Sequence, residues 1–128
     1  MKFKDLPKIE ICNKLKNVAF VDVAKNMSSY LFAKNCTEAL EYFENERVKL
    51  IKKYGEEKDG KLTVLSHNMK LFTKDFTNLL ESDVMFSIPK HNLEVADFNS
   101  ENCFTRKEEL LTGEEIYMIL AVEKHLTN

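Results

Sequence analysis

The sequence predicts a mostly helical α+β fold: an antiparallel helical hairpin, a small antiparallel sheet and a C-terminal helix. Helical periodicity over residues 36–54 ends at a glycine, and an Asp59-Gly60 turn separates it from a second amphipathic segment. A helix-capping sequence begins at Thr112. With 128 residues, 44% apolar, and only three glycines and two prolines, the chain fits one ordered, helix-rich domain.

We divide this single domain, residues 1–128, into three parts: a basic N-terminal region (1–34), the helical hairpin (36–80), and short strands with a C-terminal helix (83–128). At the N-terminus, Lys8-Ile9-Glu10-Ile11 alternates after Pro7 and predicts a short edge strand, with a helix through Val18 as the alternative. Residues 18–32 have apolar side chains three and four apart, which predicts a helix. Its apolar stripe is wider than one buried face needs.

The helix of residues 36–54 is expected to end at Gly55 in a left-handed C-cap. Its apolar stripe consists of Cys36, Leu40, Phe43, Leu50, Ile51 and Tyr54. At 1.5 Å per residue the helix is about 30 Å long, whereas a compact domain of this size has a radius of gyration of only about 14 Å. The helix therefore crosses the whole body or projects from it.

After the Asp59-Gly60 turn, residues 61–65 are strand-like, and Ser66 or Asn68 is expected to cap the next helix. Its apolar stripe is Met69, Phe72, Phe76, Leu79 and Leu80. The two stripes predict an antiparallel pair of helices in which Phe43 and Phe76 are core residues.

Residues 83–88 alternate strictly and predict a strand that ends at Pro89, and residues 93–98 predict a further extended piece. With residues 62–65 these segments are expected to form the small sheet. Thr112 and Glu115 then form a capping box that opens the C-terminal helix. Its inward side chains are expected to be Ile116, Ile119 and Leu120, with Val122 a further candidate.

No sequence motif indicates catalysis, a metal or a cofactor, so we assign no residue to these roles. The cysteines are isolated, and we interpret them as small buried side chains, with Cys103-Phe104 as a packing pair. An alternative is an enzyme or a small-molecule-binding protein with a site near His91, Cys103 and Arg106.

Charge is unevenly distributed along a chain of net charge −2. Residues 1–34 contain seven lysines and three acidic residues, and residues 94–123 contain eight acidic and two basic residues. Lysines near residues 49–61 are interrupted by acids, which favours a solvated face over a nucleic-acid site. No apolar run approaches the roughly 20 residues of a membrane span. Since no secretory signal is visible either, we expect a cytoplasmic protein.

The chain resembles small, uncharacterised proteins encoded by phages and prophages of low-GC Gram-positive bacteria, some near tail-assembly genes. The resemblance covers roughly residues 36–120 and excludes the lysine-rich N-terminal third. It rests on Phe43-x3-Arg47-x2-Leu50-Ile51-x2-Tyr54-Gly55, Asp59-Gly60, Phe72-x3-Phe76-x2-Leu79-Leu80 and Leu111-Thr112-Gly113-Glu114-Glu115-Ile116. It implies a phage origin and a protein-binding role in the host cytoplasm, and no catalytic residues are implied.

The function that we expect is that of a non-enzymatic accessory protein in virion or tail assembly or in binding a host protein. A symmetric homodimer, or a host partner, would cover the wide stripe of residues 18–32. The alternative is an inhibitor of a bacterial anti-phage defence system, of the anti-CRISPR kind, whose acidic tract blocks a nucleic-acid-binding surface. The candidate partner-binding residues are Phe20, Met27, Tyr30, Phe32, Lys52, Lys53, Glu101, Glu108 and Glu109.

Overall fold

The computed structural model of the chain describes residues 1–85, 87–105 and 110–126. The helices are α1 (Ile9–Lys16), α2 (Val23–Tyr54), α3 (Met69–Leu80) and α4 (Gly113–Val122), with short 3-10 helices at Phe3–Asp5, Ser66–Asn68, Val95–Phe98 and Glu123–His125. The strands are β1 (Val18–Phe20), β2 (Gly55–Lys58), β3 (Lys61–Val64) and β4 (Cys103–Thr105). The predicted class, mostly helical α+β, is confirmed.

Helix α2 is one continuous helix of 32 residues, roughly 48 Å long. The sequence predicted two helices here, but no glycine or proline lies between Val23 and Tyr54 to separate them. The helix also begins later than predicted, because residues 18–20 form a strand. Asp22 caps it, and its carboxylate accepts a hydrogen bond from the Lys25 backbone N–H at 3.0 Å.

The core lies along the inner side of α2. Phe32, Ala33, Cys36 and Ala39 are completely buried. The small side chains at three of these positions let neighbouring elements approach the helix closely. They pack in one cluster with Ile11, Cys12 and Leu15 of α1, and with Ile119 and Val122 of α4. The prediction that Cys12 and Cys36 are buried is therefore confirmed, while Cys103 is only half-buried.

The edge strand predicted at residues 8–11 is wrong. Ile9 begins α1, the helical alternative, and Ile11 turns into the core. The first strand is β1, which pairs antiparallel with β4, so that Val18 lies opposite Thr105 and Phe20 opposite Cys103. This pairing joins residues 18–20 to the C-terminal third of the chain, in which acidic residues outnumber basic ones.

The second sheet is a local hairpin in which β3 pairs with β2. The predicted pairing of β3 with residues 83–88 and 93–98 is wrong. Asp83 forms an isolated bridge with Lys2, Val95–Phe98 is a 3-10 helix, and Phe86 lies outside the described residues. Pairing with the neighbouring strand in the chain costs the least conformational entropy, since the loop to be closed is shortest. The Asp59-Gly60 turn fits this, with φ of 54° and 76°, as two-residue hairpin turns require.

Gly55 does not form the left-handed cap that the sequence predicted. Its φ is −127° and its ψ is −172°, which is extended backbone, and it is the first residue of β2. A Cβ atom at this position would lie only 2.7 Å from the Ile51 carbonyl oxygen and closer still to that of Thr63. Glycine is therefore needed here for space, where the helix turns directly into the hairpin.

The predicted antiparallel pairing of α2 and α3 matches the contacts at both ends. The Asn68 side-chain amide at the start of α3 donates a hydrogen bond to the Tyr54 carbonyl at 3.0 Å. Further along the two helices, the ring centroids of Phe43 and Phe76 are 5.9 Å apart. Both rings are only half-buried, however, and α3 has no fully buried residue. Their assignment to the main core is wrong, because α3 covers α2 from one side only.

Neither Ser66 nor Asn68 caps α3 with its side chain, which corrects that prediction. The Asn68 amide is used instead to bind the end of α2. The predicted capping box of α4 is confirmed: Thr112 Oγ1 accepts from the Glu115 N–H at 3.1 Å, and the Glu115 carboxylate accepts from the Thr112 N–H at 2.9 Å. The bond from the Thr112 backbone, followed by that from Lys14, lowers the pKa of Glu115. None of the helices in the described ranges is long and apolar enough to cross a membrane.

The space around Gly55 leads to a stability prediction. Gly55→Ala is expected to lower the free energy of unfolding by about 2 kcal/mol or more, because the added methyl group meets backbone atoms on two sides. Gly113→Ala is the matched control, since nothing lies within 4 Å of its added Cβ. It should leave stability unchanged or raise it by about 0.5 kcal/mol. Urea denaturation measures both, and equal midpoints for the two variants would contradict this packing.

Candidate functional site

The exposed side chains in the first nine residues of α2 are all apolar, and the polar ones there are at most half-exposed. Val23 is 74% exposed, Met27 60%, Tyr30 52% and Leu31 43%. Ala24 is exposed between them. These five residues lie within about 120° of one another around the helix, given 100° per residue. We call this surface the α2 apolar face.

Contacts on the opposite side of α2 fix this face outward. Phe32 is completely buried in the core, and the Lys25 ammonium binds the Asp97 carboxylate at 2.9 Å. The Asn26 side-chain carbonyl accepts a hydrogen bond from the Phe20 backbone N–H at 2.9 Å. Because these contacts hold the helix in one rotation, α2 cannot turn to bury Met27 or Tyr30 within the chain.

A charged residue stands at each end of the α2 apolar face. Lys34 follows the face on the same side of the helix, whereas Asp22 precedes it as the N-cap residue, with its carboxylate turned to the Lys25 N–H; both residues are exposed. Beyond Lys34 the outward positions become mostly polar, beginning with Glu38 and Glu41. The face is therefore a bounded apolar patch between an acid and a base.

Two further apolar side chains stand on the β1–β4 sheet nearby. Val21 follows β1 and is 63% exposed, and Phe104 in β4 is 61% exposed. Phe104 lies opposite Ala19, two residues before Val21, so Phe104 and Val21 are diagonal neighbours on one side of the sheet. The interpretation of Cys103-Phe104 as a packing pair was wrong for Phe104. Strand alternation places successive side chains on opposite faces, and this was the signal that could have shown it.

The structure separates the apolar candidates for partner binding. Phe20 is 5% exposed and meets Phe98 edge-on, and Phe32 meets His91 edge-on with ring centroids 4.9 Å apart. Both fill the core and cannot contact a partner, which corrects their assignment. Met27 and Tyr30 are exposed together on one face, and their role remains a prediction.

The two lysine candidates do not join this face. Lys52 and Lys53 are exposed at the far end of α2, about 33 Å along the helix from Tyr30. The Tyr54 hydroxyl donates a hydrogen bond to the Asp75 carboxylate, and the Lys53 ammonium lies 5.0 Å from the centre of the Tyr54 ring. Tyr54 is therefore already in contact with neighbouring side chains and is not free to stack on a ligand.

The acidic candidates lie in the C-terminal third of the chain. Glu101 is exposed in the turn before β4. Glu108 and Glu109 lie outside the described residues, as does Arg106 of the alternative small-molecule site. The structure therefore brings Met27 and Tyr30 together and places the two lysine candidates apart from them.

His91 and Cys103, the described members of the alternative small-molecule site, do not form a binding site. His91 is completely buried, its Nε2 lies 2.8 Å from the Ile119 carbonyl, and Nδ1 lies 2.9 Å from the Leu93 N–H. Burial raises the pKa of the Cys103 thiol, the opposite of what a reactive thiolate needs. A groove of about 490 Å³ near α4 is lined by other residues, among them Phe98 and Leu120. Within residues 1–85, 87–105 and 110–126, no group of three or more potential ligands is placed to hold a metal ion.

Comparisons of the chain with protein-family models, curated proteins and solved structures find no match. The functional interpretation therefore depends on the geometry of the described residues.

The environment of His91 predicts a pH dependence of stability. Burial lowers the pKa of His91 from its usual value of 6.5 and outweighs both Glu123 and the Ile119 carbonyl, which raise it. Protonation of Nδ1 would strengthen its contact with Glu123 but remove the acceptor of the Leu93 N–H. Below pH 6.5 the unfolded chain binds the proton more readily than the folded chain, so stability falls as pH falls.

Between pH 6.5 and 5.5 the loss is expected to reach up to about 1 kcal/mol, the limit for one proton. His91→Gln should remove this slope, whereas His67→Gln, at an exposed position, should keep it. Urea denaturation at several pH values measures both. A wild-type stability that is flat or rises toward pH 5.5 would contradict the prediction.

Proposed function

We propose that the chain is a phage-encoded accessory protein, without enzymatic activity, that acts in the host bacterial cytoplasm by binding another protein. The observation that carries the proposal is the α2 apolar face, where the five exposed side chains between Val23 and Leu31 are all apolar. Contiguous apolar patches on soluble proteins are typical of interaction sites. A helix face with apolar side chains at i, i+4, i+7 and i+8 is a common form of such a site.

The side chains on the face are of the kinds that contribute most to binding. Tyr30 offers a large ring with a polar tip, and Met27 a flexible, polarisable chain that adapts to its partner. Aromatic residues and methionine are enriched at protein interfaces, and lysine and glutamate are depleted. The face contains the former and excludes the latter. Since α2 is held rigid by its core contacts, binding would cost little ordering of the helix.

The phage origin is supported by the sequence resemblance over residues 36–120 alone, and it favours a role in virion or tail assembly or in binding a host protein. The inhibitor alternative has less support. Of the acidic tract, Asp97 binds Lys25, Glu115 binds Lys14, and Glu123 faces His91. These carboxylates are used inside the protein, which reduces the acidic surface available to imitate a nucleic acid.

The experiment is quantitative affinity capture from the infected or lysogenic host, with the double variant Met27→Glu/Tyr30→Glu compared with wild type. The control is Met69→Glu/Tyr117→Glu, which changes one exposed methionine and one exposed tyrosine elsewhere. We expect at least one captured protein to fall more than tenfold with the first variant and to remain with the control. Identical capture by both variants, with both folded by circular dichroism, would contradict the proposal.

A further inference from the structure

We infer that the α2 apolar face binds the same face of a second copy of the chain, with the two helices antiparallel. This inference rests on the proposed function, because it names the partner of the same face.

The face is suited to a two-fold symmetric contact. In such an interface, residue i of one copy meets residue j of the other, and j meets i. An antiparallel pair centred between Met27 and Tyr30 places each Met27 against the partner's Tyr30. In that register Val23 lies opposite the partner's Lys34. Met27 and Tyr30 of each copy then cover those of the other, and Val23 packs against the aliphatic part of the partner's Lys34.

The end charges favour the antiparallel orientation. Asp22 and Lys34 are twelve positions apart, about 18 Å along the helix, and neither takes part in an ion pair within the described part of the chain. An antiparallel pair brings each Lys34 to the end of the partner helix that Asp22 caps, and this happens twice. A parallel pair would place like charges together at both ends, which is unfavourable. The sequence of acid, apolar stretch and base is thus complementary to itself in one orientation only.

The size of the face indicates a weak dimer. A stable interface buries roughly 800 Å² and about 20 residues on each partner, whereas the α2 apolar face consists of five exposed side chains. We therefore expect a reversible equilibrium in which the dimer dominates only above roughly micromolar concentrations, the range of small interfaces.

Disulfide trapping tests both the contact and its direction. All variants contain Cys103→Ser to remove the half-buried thiol, and Cys12 and Cys36 are buried in the core. Val23→Cys and Lys34→Cys are made in separate chains of different length, mixed at high concentration and oxidised gently with diamide. We expect a cross-linked heterodimer on a non-reducing gel, and its loss when Tyr30→Glu is added to both chains.

Val23→Cys alone is the orientation control. In the antiparallel pair the two Val23 positions are about 16 Å apart along the helices, whereas a disulfide requires Cα atoms within roughly 7 Å. Efficient cross-linking of Val23→Cys to itself would overturn the antiparallel arrangement. No heterodimer from the mixture, with both chains folded by circular dichroism, would overturn the dimer. If the dimer fails while affinity capture still depends on Met27 and Tyr30, the proposed function stands with a different partner. If both fail, the face is not an interface.

Discussion

The inward side chains of α2 between Phe32 and Ala39 pack against α1 and form one buried cluster with residues of α4, and this packing fixes which way the long helix faces. The buried positions recur at helical spacing, and three of them are small enough to let neighbouring elements approach closely. Outside this contact, Lys25 and Asn26 hold the first turn to Asp97 and to β1. A helix held in this way has a fixed outer side, and the composition of that side becomes a property of the protein's surface.

A helix of this length is covered unequally. Its middle is buried by α1 and α4, and its C-terminal part is covered on one side by α3 through the half-buried rings of Phe43 and Phe76. Its first nine residues are packed on the inner side of the helix only, where they contact Asp97 and β1. Covering the exposed parts of Met27 and Tyr30 would contribute about 1–2 kcal/mol each. This free energy is available to a partner and not to the fold itself, which is why we assign function to this end of the helix.

The details that the sequence predicted correctly are mostly local. The capping box at Thr112 and the Asp59-Gly60 turn depend on residues within four positions of one another, so neighbouring residue types are sufficient to identify them. The errors involve contacts between distant parts of the chain. Strand β1 forms because β4 lies beside it, and the partner strands are about 85 positions apart. Gly55 is required by the approach of the Thr63 carbonyl, which no pattern around Gly55 shows.

The same limit applies to the candidate site. Residues 18–32 are apolar on more than one side, and periodicity alone does not decide whether Phe32 or Met27 faces the core. The exposed ring of Phe104 was missed because residues 103–105 were not predicted as a strand, so the alternation of their side chains was not used. What the sequence did indicate was an excess of apolar side chains in this segment, and the structure places that excess on the outer side of α2.

The most direct measurement follows the methionine methyl groups by NMR during dilution of the wild-type protein. Met27, Met69 and Met85 are all exposed, but only Met27 lies on the α2 apolar face. Association through this face predicts that the Met27 methyl signal moves with protein concentration while those of Met69 and Met85 stay in place. If the Met27 signal is independent of concentration, or if all three signals move together, association through this face is contradicted.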